Sequence, residues 1–152
     1  MKKAIAIACD HAALELKAEL IKHFEETGVE YVDYGTYTSD SCNYPDYAEK
    51  LCTAIYEGKH DMGILVCGTG IGMSMAANKC KGIRAALCSD TFSAKFTRLH
   101  NDANVLCMGA RVLGAGLAID IADMFINTPF EGGRHQKRVD MIMALEEKLS
   151  NK

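Results

Sequence analysis

Short continuous apolar runs alternate along this chain with longer stretches whose apolar residues recur at helical spacing. The first run, Ala4-Ile5-Ala6-Ile7-Ala8-Cys9, holds no polar position, the pattern of a strand buried on both faces of a parallel sheet. Asp10-His11 ends it. Between Leu14 and Thr27, the residues Leu14, Leu16, Leu20, Ile21 and Phe24 lie largely on one helical face among Glu and Lys, with Gly28 placed as the C-cap. A second strand is predicted from Val29 to Tyr34 and a polar loop from Thr36 to Pro45. A helix then runs to about Tyr56, opened by a proline that suits a first helical turn. The alternation continues with strand Met62 to Cys67, a glycine turn Gly68 to Gly72, helix Met73 to Lys79 and strand Ile83 to Cys88. Helix Asp90 to His100, strand Val105 to Met108 and helix Leu113 to Ile126 follow. After a loop at Pro129 to Gly133, a last helix covers Arg134 to Leu149, with Val139, Ile142, Met143, Leu145 and Leu149 as its apolar stripe. Strands alternating with helices at this spacing imply right-handed crossovers and one parallel sheet between helical layers. The expected fold is therefore α/β: a single doubly wound α/β/α (Rossmann-like) domain over residues 1–152, with a five-stranded parallel sheet.

In such a sheet, ligands bind outside the carboxyl ends of the strands. That places Asp10-His11, the segment from Cys67 to Gly72, Ser89-Asp90 and Gly109-Ala110-Arg111 along one edge. Composition narrows the ligand. The 152 residues carry 17 basic and 20 acidic side chains, a formal net charge of −3, and no Lys/Arg block, so there is no footprint for nucleic acid or a membrane surface. Seven cysteines without a C-x-x-C pair fit neither a disulfide framework nor a zinc ribbon, which points to a reducing cytoplasm. No signal-type apolar segment precedes Asp10, and no metal or cofactor is expected.

Gly68, Gly70 and Gly72, between a strand and a helix, can turn their amides toward an anion. The spacing is not the dinucleotide G-x-G-x-x-G, and a phosphate loop is absent. With Asp90 downstream to meet a ribose, a nucleotide-binding module stays open, as does a tight turn without a ligand. Cys67 precedes this loop; it is either a structural thiol or, at a helix N-terminus, a thiolate base or nucleophile. Cys52, Cys80 and Cys107 read as structural. Asp10 could bind a polyol or cap the following helix, and capping leaves His11 unexplained. His100, before Asn101-Asp102, could simply suit a helix C-terminus. Arg134 and Arg138 share a face at a helix N-terminus, an unfavourable place for cations unless an anion such as phosphate sits between them; the alternative is a solvated charged face.

Seven segments together resemble the ribose-5-phosphate isomerase B family, within the group that also holds the galactose-6-phosphate isomerase subunits. They are Cys9-Asp10-His11, Tyr44-Pro45, Cys67-Gly-Thr-Gly-Ile-Gly72, Ala76-Ala-Asn-Lys79, Gly82-Ile-Arg-Ala85, His100-Asn-Asp-Ala-Asn104 and Gly132-Gly-Arg-His-Gln-Lys-Arg138. The resemblance runs from Ala4 to about Glu147. It implies interconversion of D-ribose 5-phosphate and D-ribulose 5-phosphate through a cis-enediolate without metal. It also implies a homodimer or dimer of dimers with shared active sites.

By motif, the resemblance makes Cys67 the base that moves a proton between C2 and C1, and His100 the group that opens the sugar ring. Gly68, Thr69, Gly70, Ile71 and Gly72 form the anion hole. Asp10 bonds substrate hydroxyls, Asn101 positions the sugar, and His11, Arg111, Arg134 and Arg138 face the phosphate. Tyr44 and His135 are further candidates. A second branch of the family places a glutamate directly after the glycine loop as base; Met73 stands there in this chain, which returns the duty to Cys67. A six-carbon substrate, allose 6-phosphate or galactose 6-phosphate, is the narrower alternative.

Overall fold

The computed structural model describes residues 3–150; Met1, Lys2, Asn151 and Lys152, at the ends of the expected domain, lie outside the described residues. Five parallel strands form one sheet: β1 (Ile5–Cys9), β2 (Tyr31–Asp33), β3 (Gly63–Cys67), β4 (Ala85–Leu87) and β5 (Val105–Gly109), in the order β2-β1-β3-β5-β4. Six helices accompany them: α1 (Leu14–Thr27), α2 (Tyr44–Tyr56), α3 (Ile71–Ala77), α4 (Thr91–Asn101), α5 (Ala115–Asn127) and α6 (Arg134–Ser150). Every strand and helix read from the apolar pattern is present. The two edge strands are shorter than expected, three residues each, because an edge is paired on one side only and its ends are the first to leave the ladder.

The three central strands are buried at every position, which is why their sequences are apolar without alternation. Successive residues still point to opposite layers. Ile5, Ile7, Cys9, Ile64, Val66, Leu106 and Met108 meet Leu16, Leu20 and Phe24 of α1, Ala94 of α4, and Ile121 and Phe125 of α5. Ala6, Ala8, Leu65, Cys67, Val105 and Cys107 meet Leu51, Cys52 and Ile55 of α2 and Met73 and Ala77 of α3. A helix therefore covers each face, and the carboxyl ends of the strands form the open edge.

The direction in which the sheet is wound reverses between β1 and β3. From β1 the chain moves outward to β2, then returns past β1 to place β3 on its other side. In doubly wound sheets this switch point opens a crevice above the two strand ends. Asp10 and Cys67 close those two strands.

Helix α6 behaves differently from the rest. It packs chiefly on α4, and of its expected stripe only Val139 is buried, while Ile142, Leu145 and Leu149 are exposed. The described chain thus carries an apolar helix face that its own fold leaves open. Among the described residues, no helix is long and apolar enough to cross a membrane.

Candidate active site

The carboxyl edge gathers the first group of candidates. Cys9 of β1 is in register with Val66 of β3, and the Asp10 amide donates to Val66 O at 3.1 Å, so Asp10 stands level with Cys67. Asp10 is buried. It does not cap α1: the N-cap is Ala13, without a side-chain bond. Its Oδ1 instead accepts from the Ala12 amide at 3.0 Å, an Asx turn that stiffens the bend after β1. His11 follows, half-buried; its Nδ1 accepts from the Cys42 amide at 3.2 Å and lies 3.7 Å from the Cys42 thiol. Since a nitrogen that accepts an N–H bond carries no proton itself, the neutral ring bears its proton on Nε2, as a donor.

Cys67 is buried, and its Sγ accepts from the Gly70 amide at 3.1 Å. The turn between them is tight for three separate reasons. Gly70 has φ +77°. A Cβ on Gly72 would sit 2.7 Å from the Tyr44 ring, so the missing side chain makes room for Tyr44. Across the turn, a Cβ on Gly109 would sit 2.6 Å from the Thr69 backbone. Helix α3 starts at Ile71, earlier than the sequence suggested, and places Gly72 in its first turn. There Thr69 Oγ1 accepts from the Ile71 amide at 3.2 Å. Among the described residues the Gly72 and Met73 amides have no bond partner, as the first turn of a helix dictates. Arg111 closes this half: its amide donates to Gly68 O at 2.9 Å, and its guanidinium lies over Gly68.

The second group lies elsewhere. Helix α4 begins after β4 at the carboxyl edge and runs back against the strands for 11 residues, about 16 Å. His100 and Asn101 are its last residues. Asn101 O and Asp102 O accept from Arg84, which precedes β4, and the Gly63 amide at the start of β3 donates to Asn104 O. His100 and Asn101 are thus at the amino end of the sheet, together with Glu131, whose amide donates to Leu99 O. Arg134 and Arg138 open α6 from the same place. The nine expected catalytic and binding residues outside this end, and the four at it, do not converge within one chain: Cys67, Asp10, His11, Gly68 to Gly72 and Arg111 form one group, and His100, Asn101, Arg134 and Arg138 the other.

The arginines confirm a distinction that sequence could not make. Arg84 and Arg98 are engaged, each with an oxygen of Asp102 at 3.1 and 2.8 Å. Arg111, Arg134 and Arg138 are exposed, and their guanidinium groups make no hydrogen bond or ion pair among the described residues. His100 stacks on His135, ring centroids 4.0 Å apart and planes 9° apart, and each Nε2 lies 3.5 Å from Glu131 Oε2. Burial holds the His135 pKa below its usual value, and the charges of His100 and Arg134 add to this. Asp90, the expected ribose ligand of a nucleotide module, is occupied as the N-cap of α4: its Oδ1 accepts from the Ser93 amide at 2.6 Å.

Among the other cysteines, burial pushes the Cys9 thiol up to about 12 and Cys88 to about 11, with Cys52, Cys80 and Cys107 also raised. They stay protonated, as structural thiols should. Two contributions escaped the sequence reading. Cys42, in the polar loop, holds the His11 ring, and Lys17, on the nominally polar side of α1, is buried against Asp33. Neither carries a local signal, since both depend on a loop folding back over the sheet edge.

A switch-point crevice with a thiol, a carboxylate and a glycine-rich helix start defines an α/β protein that works on a small polar ligand. The chain belongs to the Ribose/Galactose Isomerase family, whose model matches residues 5–142. Ribose-5-phosphate isomerase B of Escherichia coli (strain K12) is 49% identical over 146 residues, spanning 96% of this chain and 98% of its own. The structure of Clostridium thermocellum ribose-5-phosphate isomerase B superposes with a TM-score of 0.94 at 45% identity, covering 98% of this chain and 99% of that one. That of the Mycoplasma genitalium ribose-5-phosphate isomerase B with bound ribulose-5-phosphate gives 0.90 at 41% identity, covering 97% and 98%.

Proposed function

We propose that this chain is an aldose-ketose isomerase that interconverts D-ribose 5-phosphate and D-ribulose 5-phosphate in the cytoplasm. It works as a homodimer, or a dimer of dimers, in which each active site is shared by two copies. The observation that carries the reading is the division of one sugar-phosphate site between opposite ends of the sheet. A thiol with its glycine turn stands at the carboxyl end, and a histidine with unpaired arginines at the amino end. Two copies packed so that the amino end of one faces the carboxyl end of the other assemble the whole set twice. The open apolar face of α6, which carries Arg134 and Arg138, suits such an interface.

The chemistry follows from the assembled groups. His100 of the second copy takes the O1 proton of the furanose and gives one to the ring oxygen, opening the aldehyde. Cys67 then removes the C2 proton, and the C2–H electrons move toward C1, leaving a cis-enediolate. The free amides of Gly72 and Met73, beside Thr69, offset its charge. The hydroxyl proton passes from O2 to O1 as Cys67 returns its proton to C1. Asp10 and Asn101 hold the hydroxyls. Arg111, Arg134, Arg138 and the Nε2–H of His11 hold the phosphate, which fixes C2 over the thiol.

Turnover of ribose 5-phosphate by Cys67→Ala and Cys67→Ser tests the base. A loss of ~10²–10⁴ in kcat with unchanged fold is expected, and unimpaired turnover in both overturns the assignment. The same assay with allose 6-phosphate and galactose 6-phosphate tests the substrate: kcat/KM is expected to favour the pentose, and the reverse order overturns that choice.

A further inference from the structure

His100 at the end of α4, Glu131 before α6 and His135 on α6 each offer one ligand atom to the same space, and these atoms all lie within 4.8 Å of one another. Glu131 Oε2 stands 3.5 Å from Nε2 of both histidines. His135 is only 5% exposed, and its Nε2 is a buried polar atom with no hydrogen-bond partner among the described residues. A buried ring nitrogen left unsatisfied in an otherwise paired structure calls for a reason. We infer that His100, Glu131 and His135 form a binding site for one divalent transition-metal ion of the zinc type, and that its occupancy stops the isomerase by taking His100 away from the sugar.

Two imidazoles and a carboxylate are the donor set that zinc accepts with a fourth position left for water. The same set is poor for magnesium or calcium, which prefer oxygen alone. Around a zinc ion with bonds near 2.0–2.1 Å, tetrahedral ligands stand roughly 3.4 Å apart. The two Glu–His separations already match. The stack does not: rings 4.0 Å apart and 9° from parallel hold their lone pairs side by side rather than convergent. Capture therefore requires one ring to turn, and His100 is the one free to do so, being half-exposed at the last turn of α4 while His135 is buried. Arg134 and Arg138 oppose a cation from the same helix, but both are exposed to water, which screens them. Glu131 supplies the compensating charge.

Metal binding is independent of the catalytic reading of His100; only the inhibition rests on it. Titration of the purified, metal-free protein with CoCl₂, followed by visible absorption and calorimetry, tests the site. One cobalt per chain is expected, with the d–d absorption of a four- or five-coordinate nitrogen–oxygen site, no thiolate-to-cobalt charge transfer, and displacement by ZnCl₂. His135→Gln and Glu131→Gln should each weaken binding by more than the ~10–100-fold that loss of a supporting partner costs. Glu131 has a 58% exposed side chain, so its variant keeps the fold and loss of binding there reports the ligand. A thiolate band, or affinity unchanged in both variants, overturns the site. Saturating zinc that binds as described yet leaves ribose 5-phosphate turnover intact overturns the inhibition, and with it the role of His100 rather than the role of Cys67.

Discussion

If each active site takes Cys67 from one copy and His100 from another, two inactive variants should rescue each other. Cys67→Ala removes the base from every site of its own homodimer, and His100→Asn removes the ring-opening group from every site of the other. In a mixed dimer the two sites are not alike. One receives both altered residues and is dead, while the other combines the Cys67 of one chain with the His100 of its neighbour and is wild-type. Random pairing of equal amounts makes half of the dimers mixed, each with one working site of two, so about one quarter of wild-type activity should return. The expectation follows from α4 running about 16 Å against the strands, which keeps its own His100 away from its own Cys67. The assay is co-refolding, or co-expression with two purification tags, followed by turnover of ribose 5-phosphate against total protein. Activity that stays at the sum of the two separate variants would refute the shared site, as would an equal mixture of wild-type chain and Cys67→Ala/His100→Asn that keeps about half of wild-type activity, the value for sites formed within one chain, rather than the quarter that shared sites leave.

Lys17→Met should destabilise the fold by about 3–5 kcal/mol in urea, because Lys17 Nζ, 5% exposed, donates to Asp33 Oδ1 at 2.8 Å and to Thr36 O at 2.6 Å; an unchanged midpoint contradicts the buried pair. Gly109→Ala should lower both the Tm and kcat, costing about 1–3 kcal/mol, since its Cβ meets Thr69 backbone that cannot rotate aside, whereas Gly114→Ala, with open space at its Cβ, should leave both unchanged. His135 binds its proton less readily folded than unfolded, so its contribution to stability is intact above about pH 6.5 and is lost as pH falls below it. As pH falls below about 6.5 the wild-type Tm should fall more steeply than that of His135→Gln, and parallel curves would count against the buried ring.

The apolar pattern alone determined the number and order of strands and helices here, because central parallel strands must be apolar at every position and the helices that cover them must be apolar on one side. It also identified the carboxyl-edge residues, since any residue just after a strand in such a sheet stands at that edge: Asp10 and Cys67 are there by connectivity. The glycine spacing carried information of the same local kind, for the turn needs Gly70 at φ +77° and close backbone approach at Gly109. What connectivity could not decide is everything that depends on where a chain returns. Whether Arg134 differs from Arg98 is invisible in composition, and is settled by Asp102 reaching one and not the other. Lys17 looks like a solvated residue until the loop after β2 folds over it, and Asp90 looks free until α4 starts upon it. Above all, sequence motifs gathered His100 and Cys67 into one site, whereas the fold holds them at opposite ends of the sheet. A helix that follows a parallel strand must run back along it, so the residues at its far end finish away from the carboxyl edge where the strand itself stops.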